Sequence, residues 1–139
     1  MNLSPAPSSS SSSSPARLSV WAGRILTALP ALALLGSAAG KLSRAAGVVE
    51  MFVDKMGFSP SHVPLIGAIE LTCVLLYLVP PTAVLGAILL TGYLGGAVLT
   101  HLRFEGTFAL PAVLLGAMAW GGLYFRDERV RALLPLRRG

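Results

Sequence analysis

From residue 20 onward, long apolar runs alternate with short polar interruptions. The runs are VWAGRILTALPALALLGSAAG (20–40), VPLIGAIELTCVLLYLV (63–79), AVLGAILLTGYLGGAVLT (83–100) and FALPAVLLGAMAWGGLYF (108–125). At 1.5 Å of rise per residue, helices of this size are about 25–30 Å long, near the thickness of a bilayer core. The last three are somewhat short and predict little tilt. Pro30 predicts a kink in the first.

The interruptions constrain the arrangement. Only Pro80, Pro81 and Thr82 separate the second and third runs, which forces an antiparallel helical hairpin. HLRFEGT joins the third run to the fourth. The longest link, from Lys41 to His62, contains SRAAGVVEMFVDKMGF, with Val48, Val49, Met51, Phe52, Val53 and Met56 set among Glu50, Asp54 and Lys55. That spacing predicts a short amphipathic helix lying on the membrane interface and ending near Gly57. The expected fold class is all-α: an integral membrane four-helix bundle with one short interfacial helix.

Composition points the same way. Of 139 residues, 54% are hydrophobic and 12% charged, with a mean hydropathy of +0.72. Soluble domains carry roughly 25% charge, so much of this surface must meet something other than water. A net charge of +5 does not make a nucleic-acid footprint, because the basic residues flank apolar runs instead of forming a stripe. Arg17, Arg24, Arg126, Arg129, Arg131, Arg137 and Arg138 fall on the side of both termini, against Lys41, Arg44, Lys55 and Arg103 on the other. The positive-inside rule then puts both termini in the cytoplasm. Trp21, Trp120, Tyr124 and Phe125 sit near the same ends, as in an aromatic belt.

Residues 1–16, MNLSPAPSSSSSSSPA, are a low-complexity leader without core-forming residues beyond Leu3 and are expected to be disordered. Residues 17–139 form the membrane domain. GSAA near the end of the first run resembles a cleavage site, but the long Ser-rich leader and the three further runs favour a retained helix. The single cysteine, Cys73, has no partner for a disulfide and reads as a packing residue. With only His62 and His101, no metal cluster is visible.

The chemistry centres on Glu70, the one charged residue of the second run. With the antiparallel order above, Glu70 lies about 10 Å below the non-cytoplasmic surface, and Tyr93 on the third run lies at a similar depth. Lys41 ends the first run on that side, one turn beyond Ser37, and His101 ends the third. Glu70 shares a helix face with Gly67, Cys73, Val74 and Tyr77; Tyr93, Ala97, Thr100 and His101 share another. If those faces meet, Glu70 accepts a hydrogen bond from Tyr93 and a charge from Lys41. Gly92, Gly95 and Gly96, with Gly116, Gly121 and Gly122 on the fourth run, are expected to permit close helix approach. Glu70, Tyr93, Lys41 and His101 are therefore the ligand or proton-relay candidates. Each also has a structural reading: a protonated glutamate as interhelical glue, a packed tyrosine, a lysine reaching outward as an interfacial anchor, and a boundary histidine.

The order of motifs resembles the DoxX-like family of small four-span bacterial membrane proteins. The resemblance rests on the Arg24–Leu26 start, GSAAGKL, DKMGF, LIGAIELTCVLLYLVPPT, GAILLTGYLGGAVLTHLR and an Arg-rich tail, and it covers about residues 22–134. Lys41, Leu42, Gly67, Glu70, Pro80, Pro81 and Gly86 match the family pattern. The resemblance implies a bacterial inner-membrane location. It also implies a link to thiosulfate:quinone oxidoreductases or thiol-redox proteins in some relatives, and to cargo receptors and receptor-assembly chaperones more distantly.

Three functions follow. The first is an accessory subunit of a quinone- or thiol-linked membrane redox system, with Tyr93 and His101 on the quinone oxygens and Glu70 exchanging the proton. The second is a membrane-protein assembly, chaperone or scaffold protein without chemistry, for which Gly-rich spans are suited. The third is a small-solute transporter, for which four spans are few. No catalytic or metal-binding residue is assigned, and a self-sufficient enzyme is not expected. Quinone is the one cofactor left open. The expected partners are the lipid bilayer, a membrane oxidoreductase or other membrane protein, and a second copy of the chain, with no nucleic acid.

Overall fold

The computed structural model describes residues 15–104 and 109–133. Every element in them is helical: α1 (Pro15–Leu42), α2 (Ala46–Val49), α3 (His62–Leu78), α4 (Ala83–Phe104), α5 (Leu110–Arg126) and α6 (Glu128–Leu133). A single π-helical turn, Glu50–Lys55, continues α2, and a 3₁₀ turn, Pro80–Thr82, joins α3 to α4. The all-α expectation holds. The leader expected to be disordered lies outside the described residues as far as residue 14, and α1 begins at Pro15, before the expected boundary. Arg137 and Arg138 also lie outside them.

The four long helices pack in a cycle. α1 packs against α3 and α5, and α4 closes the cycle by packing against the same two. The short link at Pro80–Thr82 imposes the antiparallel α3–α4 pair. Pro at the start of that turn fixes φ, and the Thr82 hydroxyl donates to the Leu76 carbonyl at 2.9 Å, satisfying an acceptor left open at the end of α3. At Gly86 the helices meet so closely that any side chain would overlap the Tyr77 backbone. Pro111 opens α5, where a missing N–H is harmless.

The core runs along the inside of the cycle: Leu34, Val74, Tyr77, Ala87, Leu90, Leu94, Ala119 and Leu123 are all buried. The buried residues of α3 are Val63, Gly67, Glu70, Cys73, Val74 and Tyr77, the face read from the sequence with Val63 added. The opposite faces are apolar and exposed, among them Leu32 on α1, Leu65 on α3, Leu85, Ile88 and Leu99 on α4, and Leu110 on α5. Among the described residues, two stretches are long and apolar enough to cross a bilayer, Ser19–Leu42 and Pro80–Phe104; His62–Leu78 is apolar but shorter. α3 and α5 have 17 residues each.

Three local features differ from expectation. α4 extends through Phe104, four residues past the expected end at Thr100, because nothing in HLRF breaks a helix. A sixth helix, α6, follows Asp127, whose carboxylate caps the Arg129 N–H at 2.9 Å. The link after α1 forms the expected short helix but winds mostly as π, with the Met56 N–H bonded to the Met51 carbonyl at 3.1 Å, and Gly57, with φ of +68°, follows its end. The chain leaves α1 through Arg44, which takes the left-handed conformation (φ 53°) that glycine normally supplies.

Candidate functional site

Lys41 is the last residue but one of α1, and its side chain turns back along the helix instead of out to the surface. Cα–Cβ bonds tilt toward a helix N-terminus, and here that direction points into the cycle. Lys41 Nζ reaches Glu70 Oε2 at 2.8 Å, with the two side chains 7% and 2% exposed. The outward anchor reading of Lys41 is thereby corrected. Gly67 makes the approach feasible, since a Cβ there would lie 2.8 Å from the Lys41 Cβ.

Ser37, one turn before Lys41, completes the cluster. It accepts a hydrogen bond from Lys41 Nζ, and its hydroxyl lies 3.3 Å from Glu70 Oε2, donating to it. Both α1 contacts thus fall on one carboxylate oxygen. Tyr93, on α4, stands near enough to the same carboxylate to feel its charge. The Lys41 ammonium also stands 5.4 Å from the centre of the Phe52 ring, a cation–π distance. A buried carboxylate is costly unless paired and hydrogen-bonded. Glu70 is paired with Lys41, hydrogen-bonded by Ser37 and flanked by Tyr93.

Two cavities flank this cluster. One, of about 290 Å³, is lined by Phe52, Met56, Phe58 and Ile66 together with Gly92, Tyr93, Gly96, Ala97, Thr100 and His101 of α4. The second, of about 370 Å³, is bounded in part by Ser37, Lys41, Val48, Met51 and Phe52. Phe52 borders both. His101 joins Tyr93 in lining the first cavity, without contacting Glu70. Its Nδ1 lies 2.7 Å from the Ala97 carbonyl. A carbonyl only accepts, so Nδ1 carries the proton and a neutral His101 offers Nε2 as an acceptor.

The structure therefore brings Glu70, Lys41 and Tyr93 together and puts His101 farther along the wall that Tyr93 begins. Sequence reasoning did not assign Ser37, Phe52, Met56, Phe58 or Ile66 to the site. Ser37 was legible as the residue four before Lys41, and the aromatic wall as the apolar face of the 48–56 segment.

One glycine expectation needs correction. A Cβ at Gly92, Gly95 or Gly96 would meet nothing within 4 Å, so these residues do not bring helices together. Close approach occurs at Gly122, as expected, where a Cβ would stand 2.5 Å from the Thr27 hydroxyl, and also at Gly86. Gly116 and Gly121 are in ordinary contact at 3.6 Å. Among the described residues no group of acidic, histidine or cysteine side chains suits a metal ion, and Cys73 is buried and free.

A far end of different character closes the cycle. Tyr77, wholly buried, donates its hydroxyl to the Ala119 carbonyl at 2.9 Å, and Arg126 donates to the Tyr77 carbonyl at 3.0 Å while lying over its ring.

Apolar helices that carry hydrocarbon-like surfaces outside and an ion pair inside have the build of a small helical membrane protein. The chain belongs to the DoxX-like family, whose sequence model matches residues 25–122 and so spans the body of α1 through most of α5. Comparison with curated proteins and with solved structures gives no match.

Proposed function

We propose that the chain crosses the membrane four times, with α3 and α5 held between the longer α1 and α4 and with both termini in the cytoplasm. In this reading it binds the head group of a quinone-class lipid and serves as an accessory subunit to a membrane oxidoreductase. The bacterial inner membrane is the location this reading implies. The observation that carries it is the first cavity. It is mostly apolar, near the lower end of the roughly 300–1,000 Å³ typical of ligand sites, and Tyr93, Thr100 and His101 edge it. That size suits a ring and not a whole lipid.

The roles divide by donor and acceptor. Tyr93 offers a hydroxyl proton to a carbonyl oxygen. His101, with Nδ1–H committed to Ala97, offers Nε2 to a hydroxyl, which suits the reduced form of such a ring. Glu70, neutralised by Lys41, stands behind Tyr93 as the group that would exchange a proton with it. Electrons would come from the partner.

The test is a thermal-stability titration of detergent-purified protein with a short-chain ubiquinone and with its quinol. Saturable stabilisation, reduced by Tyr93→Phe and, for the quinol, by His101→Ala, is the expected result. No shift with either form sinks the reading.

A second reading, assembly of other membrane proteins, draws support from the ion pair's closure upon itself, since a carboxylate satisfied by Lys41 and Ser37 needs no ligand to be stable. Replacing the pair by Lys41→Met with Glu70→Leu separates the two. Retained partner capture without quinone binding favours assembly. Transport has less support, because both cavities lie toward the Lys41 end while Tyr77 and Arg126 close the other.

A further inference from the structure

Glycines at helix spacing in an apolar helix usually mark places where another helix comes close. Gly92 and Gly96 have that spacing, one turn apart on α4, yet a Cβ at either meets nothing within 4 Å, and both line the first cavity. Gly95 is equally open but is not part of the cavity wall. The cavity that Gly92 and Gly96 line is also lined by Phe52 and Phe58, whose rings lie 5.7 Å apart between centroids. The cavity is thus a slot whose α4 lining is bare backbone at Gly92 and Gly96 and whose lining also holds two aromatic rings.

Each boundary has a local cause. The π turn Glu50–Lys55 carries Phe52, and Met56 and Phe58 follow it over the α4 face; such turns recur at functional sites. The Thr100 hydroxyl donates to the Gly96 carbonyl at 2.9 Å, so its proton is committed to the helix. Ala97, between Gly96 and His101, adds only one carbon. From Gly92 to Thr100 this face of α4 is low except at Tyr93, the residue that meets Glu70.

We infer that Gly92 and Gly96 are the floor of a ligand slot that selects a flat, ring-bearing amphiphile. Their function is to keep side chains out of the space a ring would occupy, and not to bring helices together. The inference rests on the ligand site proposed above and adds its selectivity: a planar ring enters between the glycine wall and Phe52/Phe58, with its polar edge toward Tyr93 and His101. Leucine at either glycine fills the slot without striking the fold, because the space is open and leucine is a better helix former than glycine.

The experiment compares wild type with Gly92→Leu, Gly96→Leu and Gly95→Leu in detergent. Each is titrated with a short-chain ubiquinone and with an alkylated naphthol, a flat ring without quinone chemistry. Melting temperature and oligomeric state are recorded alongside. The inference expects Gly92→Leu and Gly96→Leu to melt at or above the wild-type temperature while binding falls by about tenfold or more. Gly95→Leu should bind as wild type does.

Naphthol binding without quinone binding, lost in Gly96→Leu, supports the slot and removes the quinone reading. Undiminished binding of both probes to the Gly92 and Gly96 variants overturns the slot and leaves the quinone reading standing. So does a dimer that those variants dissociate without changing ligand affinity, which would make the glycines a contact between copies. A wild type that binds neither probe overturns both.

Discussion

The two ends of the helix cycle use the same residue types for opposite purposes. At the Tyr77 end, glycine means contact: Gly86 lies against the Tyr77 backbone and Gly122 against Thr27, and a Cβ at Gly23 would stand 3.0 Å from the Phe125 side chain. Polar groups there bond to backbone carbonyls, as Tyr77 does to Ala119 and Arg126 does to Tyr77. At the Lys41 end, α1 and α3 stay close at Gly67, but the α4 glycines face open space, and the polar groups are a charged pair between two cavities. One end is locked by packing; the other is held by charge around space. Where glycines meet nothing and polar groups border a void, the arrangement is poorly explained by stability alone.

The largest test of this contrast is the ion pair. Removing one partner of a buried pair costs about 3–5 kcal/mol, whereas replacing both by apolar residues is often neutral. Lys41→Met or Glu70→Leu alone should therefore lower stability by that amount in detergent unfolding, and the double variant should recover most of it. A double variant as unstable as the singles would mean that charge is not what holds this end.

Gly86→Ala addresses the other end. Its methyl would collide with backbone, which cannot swing aside, so the cost should reach or exceed the roughly 3 kcal/mol at the top of the usual overpacking range. A near-neutral result would show that α3 and α4 are not locked there. Tyr77→Phe removes one buried hydroxyl and its hydrogen bond and should cost about 1–1.5 kcal/mol, read from the same unfolding curves. The smallest effect has the opposite sign. Arg44→Gly relieves a left-handed residue at the end of α1 and should stabilise by about 1 kcal/mol.

Much of the fold was legible because apolar runs and proline punctuation are local signals. The α3–α4 hairpin follows from three residues, and the buried face of α3 follows from helical spacing around Glu70. The partnership of Glu70 with Lys41 was also within reach, since a lone acid in an apolar run requires a base at matching depth. The α4 glycines were not legible, although the close approach at Gly122 was expected and is found. A glycine states only that a side chain is missing, and whether the gap holds a helix or a cavity depends on how α4 sits against its neighbours. Tyr77 was hidden for a similar reason: its partners, Ala119 and Arg126, lie more than forty residues away on α5. The π turn escaped because its residues fit an ordinary amphipathic helix equally well.

The inward turn of Lys41 also bears on how the protein meets lipid head groups. Anionic lipids attract exposed basic residues near a membrane surface by about 1 kcal/mol each. Of the four basic residues assigned to the end where α1 finishes, Arg44, Lys55 and Arg103 are exposed, while Lys41 is buried against a carboxylate. A lysine that the sequence offers to the surface is spent inside. In the proposed four-span topology the head groups at that face meet three cations, and the fourth is given over to Glu70.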